Sequence, residues 1–378
     1  MLLVNSLAMT KTATHSAHSS ATVTQSIIFM DFSETDQDFP TLRQCGDRPF
    51  LAWLMREQQR FGVRKFILIA AATLPENTFE ILQSHLPCQA DFQCLVAANT
   101  PRALLTVCEQ LQPRFLVSHQ AVLFSGNMAR LLSEASKKPE QTWQLRSEDS
   151  NCLLLVNRDA IPQAGTSSLT WQEWKEYLLG AGKLSQISLP GKLWFPPQQS
   201  ESNDSFKQLE RPAVFLDRDG VINEDHGWVG TRERFHWTPN LFGALRRLTD
   251  LGYHIFIVTN QSGIARGFYT ETDLHDLMTW VVDEIRKHGG TIDDWRFCPF
   301  HPNASIEQYR KTSNWRKPAP GMILDLASKW KPDLSRSVLY GDQETDLQAA
   351  INSGIPAVKV GPETLASFVD SSFPKPSV

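Results

Sequence analysis

Apolar positions in the second half of the chain alternate between two rhythms. Ala213-Val214-Phe215-Leu216 is a short apolar run that stops at Asp217. From Asn240 to Leu251, Leu241, Leu245 and Leu248 share one helical face. His254-Ile255-Phe256-Ile257-Val258 is again a compact apolar run, ending at Thr259. Leu274, Leu277, Met278, Val281, Val282 and Ile285 then follow the spacing of an amphipathic helix. A further helix is expected from Met322 to Trp330. A strand is expected at Ser337-Val338-Leu339-Tyr340, running into Gly341-Asp342, and a last one from Ala357 to Val360. Short strands alternating with helices predict an α/β unit whose parallel sheet is covered on both faces. In such sheets ligands sit beyond the carboxyl ends of the strands. Asp217, Thr259 and Asp342 all fall at predicted strand ends.

At 378 residues the chain has room for two domains, each with its own core. The polar, proline-led stretch from Pro196 to Ser205 reads as a linker. The expected organisation is therefore a tail over 1–25, one domain over 26–195, a linker over 196–210, a second domain over 211–370 and a tail over 371–378. Residues 1–25 are rich in Ser, Thr, Ala and His and lack the basic-then-apolar order of a secretory signal. With 41% hydrophobic and 21% charged residues and a net charge of −4, neither nucleic acid nor an acidic membrane is expected as main partner. No apolar run reaches the roughly 18 residues of a membrane span. The 6 cysteines are scattered, with no Cys-x-x-Cys pair, which predicts free thiols in a reducing cytoplasm rather than a disulfide framework.

Three polar residues at one sheet edge suggest a chemistry. Phosphate monoesters are inert dianions, and cleaving one calls for charge neutralisation, an in-line nucleophile and a proton for the leaving oxygen. The Asp217 carboxylate can attack phosphorus and form an aspartyl-phosphate. Asp219, two residues on in a turn eased by Gly220, can protonate the leaving alkoxide and then deprotonate water. Asp342 and Asp217 offer hard oxygen ligands to Mg²⁺. Thr259 can hydrogen-bond a phosphoryl oxygen, and Lys317 can neutralise its charge. Singly, each feature is an ordinary turn, cap or solvated basic run; it is their order and placement that argue for a site.

These residues also resemble a known family. Phe215-Leu216-Asp217-Arg218-Asp219-Gly220-Val221-Ile222-Asn223 is similar to the first motif of the haloacid dehalogenase superfamily. Val258-Thr259-Asn260-Gln261-Ser262-Gly263-Ile264-Ala265-Arg266-Gly267 resembles the second motif of the subgroup that holds heptose-bisphosphate and histidinol phosphatases. Arg316-Lys317-Pro318 resembles the third motif, Gly341-Asp342-Gln343-Glu344-Thr345-Asp346 the fourth, and Asp225-His226-Gly227 a segment of the heptose enzymes. The resemblance implies a Rossmann-like core without a large cap. It implies Mg²⁺ on Asp217, Asp342 and the main-chain carbonyl of Asp219, phosphate on Thr259 and Lys317, and substrate contacts from Asn260, Arg266 and Arg316. Heptose enzymes of this kind usually carry a four-ligand zinc loop. Here Cys298 remains, but Phe300, Ser313 and Trp315 stand at the other ligand positions, so no structural zinc is expected. The loop is expected to fold by packing Trp295, Phe297, Phe300 and Trp315. Gln343 also replaces a residue that is often basic.

The first half resembles a degenerate sugar-phosphate nucleotidyltransferase. Gly46-Asp47-Arg48-Pro49-Phe50-Leu51 matches the turn before that family's first helix, and Phe61 to Leu68 its next helix-to-strand passage. Where the family has a glycine-rich phosphate loop, this chain reads Phe29-Met30-Asp31-Phe32-Ser33-Glu34-Thr35-Asp36, and Gln120-Ala121 replaces a metal-binding Gly-Asp. No nucleotidyl transfer is expected, and self-association, docking or regulation is the anticipated role. Together the two halves predict two Rossmann-like three-layer domains with mainly parallel sheets. The favoured activity is removal of the 7-phosphate of a heptose 1,7-bisphosphate on the route to nucleotide-activated heptose. Histidinol-phosphate hydrolysis, a broader sugar-phosphatase, or an inactive scaffold are the alternatives.

Overall fold

The computed structural model describes residues 23–32, 38–146, 153–162, 169–197, 205–361 and 364–372. Two separate parallel-dominated sheets form, as expected. The first holds β1 (Gln25–Met30), β2 (Lys65–Ala70), β3 (Asp91–Val96), β4 (Arg114–Ser118), β5 (Thr142–Arg146), β6 (Leu153–Asn157) and β7 (Leu184–Ser188), in the order β7-β5-β6-β4-β1-β2-β3. Only β6 runs against its neighbours. The second holds β8 (Pro212–Leu216), β9 (His254–Asn260), β10 (Asp294–Cys298), β11 (Asp333–Gly341) and β12 (Ala357–Lys359), all parallel, in the order β10-β9-β8-β11-β12.

The central strand β8 is buried on both faces, and its two-residue period divides its side chains between two cores. Val214 and Leu216 enter one, and Ala213 and Phe215 the other. Among the helices that cover this sheet are α3 (Leu241–Asp250), α4 (Glu271–Lys287), α5 (Gly321–Trp330) and α6 (Glu344–Asn352), numbered after α1 (Phe50–Arg60) and α2 (Met128–Ser136) of the first unit. The helical faces expected from periodicity are buried in α3, through Leu241, Leu245 and Leu248, and in α4, through Leu274, Leu277, Met278, Val281 and Ile285, with Val282 partly buried; α6 was not expected. Its start is set by Thr270 and Asp273, which cap each other's backbone N–H groups, a contribution of about 1 kcal/mol. Among the described residues no helix is long and apolar enough to cross a membrane.

The structure corrects several boundaries. Val23 is buried and Gln25 opens β1, so residues 23–25 belong to the fold rather than to the tail; residues 1–22 lie outside the described residues. Thr24 and Gln25 exchange hydrogen bonds with Gln112 across a long sequence gap, which a polar composition hides. Within the expected linker, Phe206 and Leu209 are buried in the first unit's core; residues 198–204 lie outside the described residues. A helix α7 (Leu365–Ser372) packs Leu365 and Val369 into the second core, two residues past the expected end; residues 373–378 are not described.

Strand β10 was not expected. Its alternation sends Trp295 and Phe297 to one core and Cys298 to the other, so the four loop aromatics do not form one cluster. Trp295 stacks on Phe297, while Phe300 and Trp315 pack on the opposite face. An edge strand exists because β9 offers it an open ladder, which no local pattern reveals.

The turn from Gly46 does lead into α1, and Phe61 to Arg64 lead out of it into β2. Ser33–Asp36 of the run compared with a phosphate loop lie outside the described residues. Ala121 takes a left-handed φ of 48°. All of α1 is buried, Arg56, Glu57 and Arg60 included. The reason is the second unit, which lies across its polar side. Arg60 reaches Asp293 (2.7 Å) and the Tyr253 carbonyl (2.7 Å), and Arg56 donates to the Trp330 carbonyl (2.6 Å). Arg211 returns the contact to Glu57 (3.0 Å) and the Ser125 carbonyl (2.6 Å). Asn127, the N-cap of α2, donates to Asp250 and to the Gly289 carbonyl.

Candidate active site

Three adjacent strands, β9, β8 and β11, end at one edge of the second sheet. Asp217 follows β8, and its N–H still bonds the Tyr340 carbonyl of β11 (3.0 Å), so the ladder fixes its position. Asp342 follows β11, and Thr259 is the penultimate residue of β9. Gly220, at φ +82°, allows the turn after Asp217 to pass Asp342; a Cβ there would lie 2.5 Å from an Asp342 carboxylate oxygen.

Lys317 comes from the loop before α5. Its backbone is clasped at two points by the Asn260 side chain, which accepts from the Lys317 N–H (3.1 Å) and donates to the Lys317 carbonyl (3.2 Å). This delivers Nζ, 3% exposed as a residue, to three oxygens: Asp217 Oδ1 (2.9 Å), Asp346 Oδ1 (2.6 Å) and the Val258 carbonyl (2.9 Å). Burial alone would lower the lysine pKa, but Asp217 and Asp346 outweigh it and raise it. Burial pushes the Asp217 carboxyl up to about 7; Lys317 pulls it down, and Asp346 and Asp219 push it up again. Asp342 is also raised, first by burial. The carboxylates outnumber the cations at this point.

Asp219 lies on the same cleft, its side chain 22% exposed. Its carboxylate accepts from Arg218 (2.8 Å), Asn223 (3.0 Å) and Gln261 (2.9 Å). Gln261 also donates to Thr259 Oγ1 (2.8 Å) and accepts from Tyr269 (2.6 Å). Burial pushes the Tyr269 hydroxyl up to about 12, so it stays a donor. The cleft has a volume of about 220 Å³ and holds Asp217, Asp219, Thr259, Asn260, Lys317 and Asp342 together. Trp228, at a left-handed φ of 47° and 46% exposed, stands on its rim.

Two expected residues are not part of the cleft wall. Arg266 lies with its guanidinium 5.5 Å from the Trp228 ring, outside the lining. Arg316 donates to the Phe300 carbonyl (3.3 Å); its pKa is lowered by burial and by the nearby Arg266. Arg266 ends the short helix Ser262–Ala265 and Arg316 turns back to the Phe300 carbonyl, so neither side chain reaches the lining, a placement that spacing alone does not reveal. Conversely, Asp346 and Gln261 are in the site and were given no role from sequence. Both sit inside the quoted motifs. Asp346 reads locally as the N3 residue of α6, where it does accept from the Gln343 N–H (3.0 Å).

A hard-cation site fits these residues. Asp217, Asp342 and Asp346 each offer an oxygen within 4.8 Å of the others, and Asp342 Oδ1 is buried without a hydrogen-bond partner. All-oxygen ligands suit Mg²⁺ rather than a soft metal.

Fold and site together define a phosphohydrolase-type centre in which carboxylates surround a buried lysine at the carboxyl edge of a parallel sheet. The HAD-hydrolase-like family matches residues 314–364. The chain is 49% identical over 159 residues to the D-glycero-beta-D-manno-heptose-1,7-bisphosphate 7-phosphatase of Rhodopseudomonas palustris, a match covering 42% of this chain and 88% of that protein. It is 42% identical over 147 residues to the D-glycero-alpha-D-manno-heptose-1,7-bisphosphate 7-phosphatase of Burkholderia mallei, covering 39% and 78%. An inositol-1-phosphate CTP transferase structure from T. maritima is 10% identical, covers 49% of this chain and 94% of its own, and has a TM-score of 0.38. The chain belongs to the haloacid dehalogenase-like phosphatases, in the family of the heptose-1,7-bisphosphate 7-phosphatases, and is a phosphoric monoester hydrolase.

Proposed function

We propose that this protein removes the 7-phosphate of D-glycero-D-manno-heptose 1,7-bisphosphate, in the cytoplasm, through a phosphoryl intermediate on Asp217. The observation that carries this reading is the Lys317 ammonium seated between Asp217 and Asp346 at the strand edge. Asp217 Oδ1 is fixed by Lys317 and by the Arg218 N–H (2.7 Å), which orients the carboxyl for attack. The attack forms the Asp217–phosphorus bond and breaks the bond to the sugar oxygen, which takes a proton from Asp219. Asp219 then removes a proton from the water that releases phosphate. Thr259 and Lys317 hold the transferred group. Mg²⁺, held by Asp217, Asp342 and the Asp219 carbonyl, with Asp346 beside them, would supply charge neutralisation at the phosphoryl oxygens. Asn260 acts through Lys317. Arg266 and Arg316 lie farther out, where they suit the distal 1-phosphate of a bisphosphate rather than the reacting one.

Phosphate release from both heptose bisphosphate anomers, histidinol phosphate and simple sugar phosphates, with and without Mg²⁺, tests the reading. One heptose bisphosphate should exceed histidinol phosphate in kcat/KM by about 100-fold; equal turnover would defeat the assignment. One observation favours a broader sugar-phosphatase as second reading. Gln343 faces the cleft and spends its amide on Asp342 Oδ2 (2.7 Å), where a basic side chain would have selected an anionic substrate.

For the first unit we infer docking against the phosphatase without nucleotidyl transfer. The burial of Arg60 and Arg56 on α1 under the second unit supports docking. Turnover of nucleoside triphosphates by the full chain would contradict the second part.

A further inference from the structure

A second cluster of ligating side chains stands on the rim of the cleft, apart from the carboxylates inside it. Glu224, His226 and His236 are all exposed, and one ligating atom of each lies within 4.8 Å of the others. Glu224 Oε2 is 3.2 Å from His226 Nε2, and the two imidazoles meet edge to face with ring centres 5.0 Å apart. The backbone brings these residues together. Asn223 forms an antiparallel bridge with Trp237, and the Glu224 N–H donates to the His236 carbonyl (2.8 Å). The Asn223 side chain adds a bond to the Glu224 carbonyl (2.9 Å), and Arg234 holds the His226 carbonyl (2.9 Å). The ligand-bearing segments are thus fixed while the side chains stay free to rotate.

We propose that Glu224, His226 and His236 form a binding site for a transition-metal ion of the zinc class. Two imidazoles and one carboxylate are a usual three-ligand set for zinc, with water completing the tetrahedron. Metal–ligand bonds of about 2 Å need the ligating atoms roughly 3.3 Å apart, which exposed side chains at this spacing reach by small rotations. Imidazole donors prefer such ions to Mg²⁺, whereas the interior site offers only oxygens, so the two sites sort the two metals by donor chemistry. Occupancy ties residue 236 to residues 224–226. The next residues along that loop, Gly227 and Trp228, line the cleft together with Asp225. A filled site therefore stiffens the rim that substrate passes, and its kinetic signature is a change in KM with kcat retained.

Zinc titration of the full-length protein in saturating Mg²⁺, followed by calorimetry or against a chromogenic chelator, tests the site. About one zinc per chain should bind. His236→Ala and Glu224→Ala should each weaken binding by more than about 100-fold, beyond the cost of an outer-shell partner. Unfolding curves without zinc should match wild type, because both residues are exposed. Cys298→Ser combined with His301→Ala, which removes the cysteine left in the 298–315 loop and the histidine three residues after it, should leave binding intact, as should Asp342→Asn. No zinc uptake by wild type, uptake that survives His236→Ala and Glu224→Ala, or uptake lost with Cys298 and His301 each overturns the proposal.

Discussion

Two largely buried charge clusters among the described residues differ in stoichiometry. In the cluster between the units, Arg60 and Arg211 face Glu57 and Asp293, with His254 Nδ1 2.5 Å from Asp293. Charges balance: burial opposes ionisation of Asp293, but Arg60 outweighs it and holds the carboxyl below its usual range. Burial likewise keeps His254 neutral, near pKa 4, so Nδ1 carries the proton it gives to the carboxylate. In the cluster at the strand edge, Lys317 faces Asp217 and Asp346, with Asp342 nearby and one Asp342 oxygen unpartnered. Asp217 is held up, not down. Each cluster leaves a buried carboxylate oxygen without a hydrogen-bond partner, Asp293 Oδ1 in one and Asp342 Oδ1 in the other, so charge balance is what separates them: a balanced cluster does structural work, and an under-compensated one in a cleft suits a ligand.

The sharpest test exchanges the two clusters' roles. Asp217→Asn should lower kcat roughly ten-thousand-fold or more, the scale of losing a nucleophile. Its unfolding midpoint without metal should hold or rise, since one of the crowded anions is gone. A variant that kept activity would break the assignment of the strand-edge cluster.

Asp293→Ala should do the reverse. It leaves Arg60 buried beside a void and should cost about 3–5 kcal/mol in urea unfolding. Its kcat should match wild type wherever it remains folded. A loss below about 1 kcal/mol would mean that the interface opens and wets the arginine.

Acidification probes the same cluster. Burial depresses the folded pKa of His254 to about 4, below the 6.5 of an ordinary histidine. The unfolded chain therefore takes up the proton first as pH falls. The contribution is fully present above pH 6.5 and is lost progressively down to about pH 4, to the extent of about 3 kcal/mol. His254→Leu should flatten the stability profile across that window.

The smallest effect is metal linkage. Mg²⁺ at about 100 times its dissociation constant should stabilise wild type by about 2.7 kcal/mol. Asp342→Ala should abolish that increment, and Asp293→Ala should keep it. If Asp293→Ala lost the increment instead, the clusters would be coupled rather than separate.

What could be read early follows from how local each signal is. Asp217, Thr259 and Asp342 were legible because an apolar run ending in a polar residue marks a strand end without knowledge of its neighbours. Lys317 was legible by motif order. Asp346 and Gln261 lay inside recognised segments, yet a helix-cap carboxylate and a loop amide gain their roles only from partners far along the chain. Arg266 and Arg316 show the opposite: motif residues whose loops carry them past the cleft wall. Strand β10 was missed because it is defined by pairing with β9.

The sequence by itself determined the alternating α/β units, the apolar faces of the helices and the edge where chemistry gathers, since these depend on periodicities of two and 3.6 residues. Tertiary structure alone decided why α1 carries Arg56, Glu57 and Arg60 on a side that meets protein instead of water. It also decided that two sets of charged residues, alike in composition, end as a lock between units and as a site. That distinction depends on which opposite charges the fold brings within about 3 Å in a dry interior, where Coulomb attraction and desolvation are both large.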